Sequence, residues 1–177
     1  MAENLKGSAV VYNSPLTLAG PEIQVGHAAP DFTAVNQMFE SVRLSDAKGK
    51  VVILVSVLSV ETPVCDTVIR RFDQMAAGLS SGIEIWTVTM DLPFVQKRWC
   101  EALSVAHVKM LSDFRYRSFG QSYGLFIKDG PFAGILSRAV FVVGDDGKIK
   151  HAEYIKDIVS QPEYDRIRLR AALEKPS

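Results

Sequence analysis

The run Val51-Val52-Ile53-Leu54-Val55-Ser56-Val57, continuing through Leu58-Ser59-Val60-Glu61-Thr62-Pro63-Val64-Cys65, decides how this chain is read. Its first half is almost entirely β-branched and aliphatic, the pattern of a strand buried on both faces of a parallel sheet. Beyond it, Val64, Val68, Phe72, Met75, Ala76 and Leu79 fall at helical spacing, so a helix is expected over Asp66 to Leu79. Thr62 before Pro63 marks the helix start: the hydroxyl accepts from an unpaired amide, and proline at the first helical position loses no bond it needed. Cys65 is then about the third helical residue, where free amides and the positive end of the dipole favour an anionic sulfur.

The size of that effect matters. A thiol with pKa ~8.5 is only about 3% thiolate at pH 7, whereas one at ~6 is about 90%. The difference is roughly 3.4 kcal/mol at ~1.36 per pH unit, and a helix terminus supplies ~0.3–1, reaching ~2 when partly buried. A cation must make up the remainder, and Arg70, Arg71 and Arg138 are the candidates. Against this stands a bland alternative, since cysteine is among the most buried residue types and a lone one after a strand is often an inert core thiol.

Working outward, Ile83 to Met90 reads as the next strand and closes a βαβ unit, with Gly78 and Gly82 bracketing the end of the intervening helix. Asp91-Leu92-Pro93 opens a second helix, from Phe94 to about Leu103, that carries Cys100. Met110-Leu111-Ser112 is a weak strand and Ser118 to Tyr123 a short helix ending at Gly124. Arg138 to Val143 and Lys148 to Ile155, joined by Gly144-Asp145-Asp146-Gly147, form a hairpin. Ser160-Gln161-Pro162-Glu163 has the form of a capping box for a last helix from about Pro162 to Leu173. Upstream, Ala9-Val10-Val11-Tyr12 and Leu16-Thr17-Leu18 form a short hairpin around Asn13-Ser14-Pro15. Pro30-Asp31-Phe32 lies in an extended segment, Ser41 to Leu44 is a short strand, and Ser45 to Lys50 is a turn.

Length and composition set bounds on function. A chain of 177 residues with 20 basic and 20 acidic side chains fits one α/β domain and gives no reason to expect a nucleic-acid partner. The first residues lack a basic stretch followed by an apolar core, so no secretory signal is expected. No apolar run is long enough for a membrane span, and a cytoplasmic location is the default. Two cysteines thirty-five positions apart do not make a disulfide scaffold; if they pair, the pairing is transient and chemical. His27, His107 and His151 are not at metal-ligand spacing, so neither metal nor cofactor is expected.

The order βαβ, helix, β-hairpin, helix is the thioredoxin-like arrangement, here with an N-terminal hairpin extension over residues 1–20 on one domain spanning 1–177. Several motifs then occur in series: Thr62-Pro63-Val64-Cys65 with Arg70-Arg71-Phe72, Asp91-Leu92-Pro93-Phe94 through Trp99-Cys100, Leu111-Ser112-Asp113-Phe114-Arg115, Asp129-Gly130-Pro131 and Ser137-Arg138-Ala139-Val140. Together they resemble the bacterial thiol peroxidases, atypical two-cysteine peroxiredoxins. The resemblance implies a peroxiredoxin fold, with a central mixed sheet flanked by helices, and an antioxidant peroxidase acting on hydrogen peroxide and on alkyl or lipid hydroperoxides. It makes Cys65 the peroxidatic nucleophile and Cys100 the resolving thiol that closes an intrachain disulfide. Thr62 becomes the hydroxyl that contacts thiolate and peroxide, and Arg138 the guanidinium that stabilises both. Thioredoxin as reductant and a homodimer follow from the same resemblance. Because the two cysteines lie on different expected helices, and a disulfide needs Cα atoms within roughly 7 Å, local unwinding is expected between redox states.

One position departs from the family pattern. Seven residues before the peroxidatic cysteine the family has proline, whose ring shields the thiolate, and here Leu58 stands in its place. Leucine can shield, but it adds an amide donor and frees the backbone dihedral. That substitution motivates two further readings, a peroxide-sensing thiol relay and a catalytically weakened dimeric scaffold. Trp99 is expected to pack beside Cys100. Phe94, Phe119, Phe126, Ile127 and Phe132 are candidates for an apolar interface or a substrate collar, with plain core as the default.

Overall fold

All six residues of the Val51–Ser56 strand are buried, and the rest of the chain is arranged around it. The computed structural model describes residues 5–11, 14–157 and 159–174. In chain order the elements are β1 (Leu5–Val11), β2 (Ser14–Ala19), β3 (Thr33–Val35), β4 (Ser41–Arg43), β5 (Val51–Ser56), α1 (Pro63–Ala77), β6 (Ile83–Thr89) and α2 (Pro93–Leu103). There follow β7 (Lys109–Ser112), α3 (Ser118–Ser122), β8 (Phe126–Ile127), β9 (Ala139–Val143), β10 (Ile149–Tyr154) and α4 (Tyr164–Leu173); a 3-10 turn spans Leu44–Ala47.

Among the described residues, seven strands form one mixed sheet in the order β10-β9-β5-β6-β7-β3-β4. β5 runs parallel to β6, from Val51 opposite Ile83 to Ser56 opposite Val88, and antiparallel to β9 on its other side. Alternation along β5 sends Val51, Ile53 and Val55 into one apolar layer and Val52 and Leu54 into the other. The first layer is completed by Val68, Ile69 and Phe72 of α1, Trp99 and Cys100 of α2, and Ile167 and Ala171 of α4. The second holds Trp86, Phe119, Tyr123 and Phe141. The expected N-terminal hairpin is the β1–β2 pair, joined by β8 into a separate three-stranded sheet; Tyr12 and Asn13 lie outside the described residues. No helix among the described residues is long and apolar enough to cross a membrane.

Two local expectations are corrected, and one strand appears that was not expected. Strand β3 begins at Thr33, just after the expected extended segment, and pairs with β4 and β7. The strand expected over Ser41 to Leu44 stops at Arg43, because Leu44 turns into the 3-10 segment and is buried there. The capping box at Ser160 does not form, and α4 starts at Tyr164 with Glu163 as an N-cap that makes no side-chain cap bond. The amide a box would use, Glu163 N–H, donates instead to Glu153 Oε1 at 3.1 Å, and Ser160 N–H donates to the Asp157 carbonyl at 2.9 Å. An acceptor on β10 and a turn carbonyl have displaced the box.

A buried carboxylate ties α1 to the segment after α2. Asp73 accepts from the amides of Ala106 (3.1 Å), His107 (2.6 Å) and Val108 (3.0 Å), and its second oxygen lies 3.2 Å from His107 Nδ1. Burial works against the charged form, but the His107 and Val108 donors outweigh it and hold the carboxyl below its ordinary range.

Asp113, fully buried, behaves in the opposite way. Its carboxylate accepts from Phe119 N–H at 3.2 Å and Gly120 N–H at 2.8 Å, yet burial dominates and pushes its pKa up to about 6. The unfolded chain releases this proton near ~3.9 and the folded one near 6, so between those values the native state binds more protons and stability falls as pH rises. Relative to the parent, Asp113→Asn is therefore expected to be more stable at pH 7 than at pH 4, by up to about 3 kcal/mol. Urea midpoints of both proteins across that range test this, and a parallel pair of curves would refute it.

Candidate active site

The local sequence builds the start of α1 as expected. Thr62 is extended (φ −86°, ψ 139°), Pro63 is the first helical residue, and Thr62 Oγ1 accepts from Cys65 N–H at 3.3 Å. The same hydroxyl donates to the Ser59 carbonyl at 3.4 Å, so its proton is directed back into the turn and not toward the sulfur. Cys65 has no exposed surface and belongs to the first apolar layer with Leu58, Val60 and Val68.

Arg138 reaches this sulfur through strand pairing. β9 lies antiparallel to β5 with Ala139 opposite Ser56, which sets the residue preceding β9 beside the end of β5 where the chain turns toward α1. Ser56 Oγ donates to the Ser137 carbonyl at 2.7 Å and fixes that end of the pair. The Arg138 side chain is 1% exposed; Nη2 donates to Cys65 Sγ at 3.2 Å and Nη1 to the Ser160 carbonyl at 2.8 Å. Of the three candidate cations this is the one at the sulfur. Arg70 pairs with Asp66 at 3.5 Å on an exposed face, and the Arg71 guanidinium lies 4.9 Å from the centre of the Tyr164 ring.

The turn from Leu58 to Thr62 is held from below by Asp91, which the sequence marks as part of a helix start and of a family motif but not as a partner of this turn. Its carboxylate accepts from Ser59 Oγ (2.7 Å), Val60 N–H (2.8 Å) and Thr89 Oγ1 (2.9 Å). Asp91 sits between β6 and α2, so one side chain joins the loop before Cys65 to the start of the helix that carries Cys100. Its sequence signals, a local helix start at Asp91-Leu92-Pro93 and the family motif, point to α2 and not to the turn before Cys65. Leu58 is 3% exposed and packs in the same layer as Cys65, so it excludes water as a proline ring would. Its amide makes no hydrogen bond among the described residues, so proline at this position would break none.

Cys100 lies in the last turn of α2, 8% exposed, beside the equally buried Trp99. Its carbonyl accepts from Val105 N–H at 3.0 Å, and Ser104 closes the helix in the left-handed region (φ 55°). Burial pushes the Cys100 thiol up from its ordinary value; a hydrogen bond from Gln37 opposes this, and the Asp73 and Glu101 carboxylates add to it. Both cysteines are free thiols.

The remaining singled-out residues take ordinary places. Phe119 and Ile127 are core, while Phe94 is 69% exposed. His107 and His151 lie beside Asp73 and Glu153, and Asp146 accepts from Lys148 N–H in the hairpin turn.

A buried thiol at a helix N-terminus, with a guanidinium on its sulfur and a second thiol in the same apolar layer, is an arrangement suited to thiol-dependent redox chemistry. Comparison with known proteins narrows this. The model of the AhpC/TSA family matches residues 25–152. A thiol peroxidase of Aquifex aeolicus is 39% identical over 164 residues, 93% of this chain and 92% of the relative. One from Oceanobacillus iheyensis is 44% identical over 155 residues, 88% of this chain and 92% of that one. Among solved structures, a peroxiredoxin-like protein from Aquifex aeolicus superposes with a TM-score of 0.89 at 36% identity, covering 94% of this chain and 96% of the other. The chain belongs to the AhpC/TSA family. It is a peroxiredoxin-type oxidoreductase on a thioredoxin-like fold.

Proposed function

We propose that this protein reduces hydrogen peroxide and organic hydroperoxides through a Cys65 sulfenic acid and a Cys65–Cys100 disulfide. The observation that carries the reading is the Arg138 Nη2 contact to Cys65 Sγ, 3.2 Å, at the amide end of α1. An anionic sulfur attacks the terminal peroxide oxygen along the O–O axis, the S–O bond forms as the O–O bond breaks, and the leaving oxygen departs as alkoxide or hydroxide and takes up a proton. Negative charge thus moves from sulfur onto oxygen, and a guanidinium beside the sulfur can follow it without reorganising. Thr62 turns its hydroxyl from the Ser59 carbonyl to the peroxide when substrate enters.

Cys100 then attacks the sulfenic sulfur, a disulfide forms, and water leaves. This second step protects Cys65 from irreversible oxidation. An external dithiol, with thioredoxin as the expected donor, returns both sulfurs to thiols and is itself oxidised to a disulfide. The protein works in this reading as one cytoplasmic domain and as a homodimer, for which the exposed Met38, Leu92 and Phe94 offer apolar ground. Leu58, buried beside Cys65, keeps the shielding function of the family proline, which favours a working enzyme over a degenerate scaffold.

Stopped-flow measurement with thioredoxin, thioredoxin reductase and NADPH tests the reading, run once with hydrogen peroxide and once with a bulky organic hydroperoxide. Peroxide loss far faster than with free cysteine is expected. Cys100→Ser should turn over poorly and gain two oxygen atoms at Cys65 by mass spectrometry at peroxide doses the parent survives. A parent no faster than free cysteine would end the enzyme reading.

A further inference from the structure

The turn between β3 and β4 holds the second cysteine. Gln37 Nε2 donates to Cys100 Sγ at 3.3 Å, from an element more than sixty residues away in sequence. The turn is internally fixed around Asn36: its Oδ1 accepts from Met38 N–H (2.8 Å) and Glu40 N–H (3.0 Å), and its Nδ2 donates to Glu40 Oε2 (2.8 Å). Asn36 N–H donates to the Glu40 carbonyl at 2.9 Å, and Phe39 takes the left-handed conformation at φ 63°. The Phe39 ring then lies 4.8 Å from that of Phe94 in the first turn of α2 and 6.4 Å from that of Phe114. This short turn therefore touches α2 at both ends, with an aromatic contact at its start and an amide donor at its sulfur.

We propose that Gln37 is the residue that primes Cys100, its carboxamide supplying the hydrogen bond that favours the Cys100 thiolate. The inference rests on the reading of Cys100 as the resolving thiol for its place in turnover, though not for the contact itself. The sulfur is buried, and the Asp73 and Glu101 carboxylates both disfavour a negative charge on it. A neutral amide donor whose backbone is already ordered strengthens as the sulfur ionises, because hydrogen bonds to charged acceptors are stronger than those to neutral ones. Thiolate, not thiol, attacks the sulfenic sulfur, so a larger thiolate fraction shortens the time during which Cys65 is open to over-oxidation. When the thiolate attacks, the new S–S bond takes its electron pair and hydroxide leaves Cys65, gaining a proton to become water. On reduction, Cys100 returns to a waiting donor.

The chain has two cysteines, so in a Cys65→Ser background Cys100 is the sole thiol, and its alkylation rate against pH reads its ionisation directly. Gln37→Leu in that background is expected to move the midpoint to higher pH and to slow alkylation at pH 7.5 by about 3–10-fold. The plateau rate at high pH should be unchanged. Gln37→Glu, which keeps the shape but brings a like charge, should move the midpoint further. With Cys65 present, Gln37→Leu should slow disulfide formation by a similar factor and lower the peroxide dose at which Cys65 over-oxidises.

A change in plateau with an unmoved midpoint means that Gln37 only packs against α2, and it overturns the proposal, as does a profile identical to the parent's. A moved midpoint in a protein whose parent forms no Cys65–Cys100 disulfide supports Gln37 as the residue that tunes Cys100 and overturns the resolving role instead.

Discussion

Cys65→Ser is expected to reduce peroxide consumption by about 10⁴-fold or more, to the background of the assay mixture. An alcohol in the first turn of α1 could still accept from Arg138, but it does not ionise near neutral pH and is a poor nucleophile toward oxygen. The substitution is nearly isosteric in a site with no exposed surface, so the fold should survive, and the thermal midpoint of the variant provides the control. Cys100 remains present in this variant. Residual fast turnover would therefore mean that Cys100 can serve as the primary nucleophile, and the assignment of the two thiols would have to be exchanged.

Arg138→Met carries the next largest effect. Methionine approximates the buried length of the side chain but provides neither charge nor donor, and a loss of about 10²–10³ in kcat/KM for peroxide is expected, the scale seen when a single oxyanion donor is removed. Some stability should fall with it, since methionine leaves the Ser160 carbonyl and the Cys65 sulfur without their donor, and the thermal midpoint is read alongside the rate. Arg138→Lys separates charge from geometry. A lysine is a point charge on a flexible stem and cannot reproduce two forked donors reaching Cys65 Sγ and the Ser160 carbonyl together. It should recover only part of the rate. If the methionine variant, still folded, keeps kcat/KM within about threefold of the parent, the guanidinium is structural and the electrostatic support of Cys65 comes from the helix terminus alone.

Much of the scaffold could be read directly from the chain because its signals are local. The apolar run of β5, the helical spacing of α1, the Thr62-Pro63 start and the Gly144 to Gly147 turn each depend on neighbours a few residues away, and each appears where expected. The strands that escaped notice, β3 and β8, have three and two residues, too short for alternation to show. The capping box failed for a different reason, since Glu153 competes for the amide from another element.

The site divides in the same way. Cys65 and Thr62 stand in one turn and could be found together, and Arg138 could be included among the candidate cations but placed only by the pairing of β9 with β5. Gln37, Asp73 and Asp91 act across folds of the chain, and nothing in their own surroundings marks the partners they hold. An aspartate after a strand or a glutamine in a turn is ordinary until its partner is known.

The Asp73 staple also determines how opening is distributed along the chain. Residues 92–105 lie between two carboxylate anchors, Asp91 on one side and the Asp73-held amides of residues 106–108 on the other. Such a segment can open as a sub-global unit at a lower free energy than the molecule as a whole. Melting that begins at α2 meets the second anchor before it reaches β7. In the proposed cycle α2 would therefore fray and re-form while the sheet that keeps Arg138 against Cys65 stays in register.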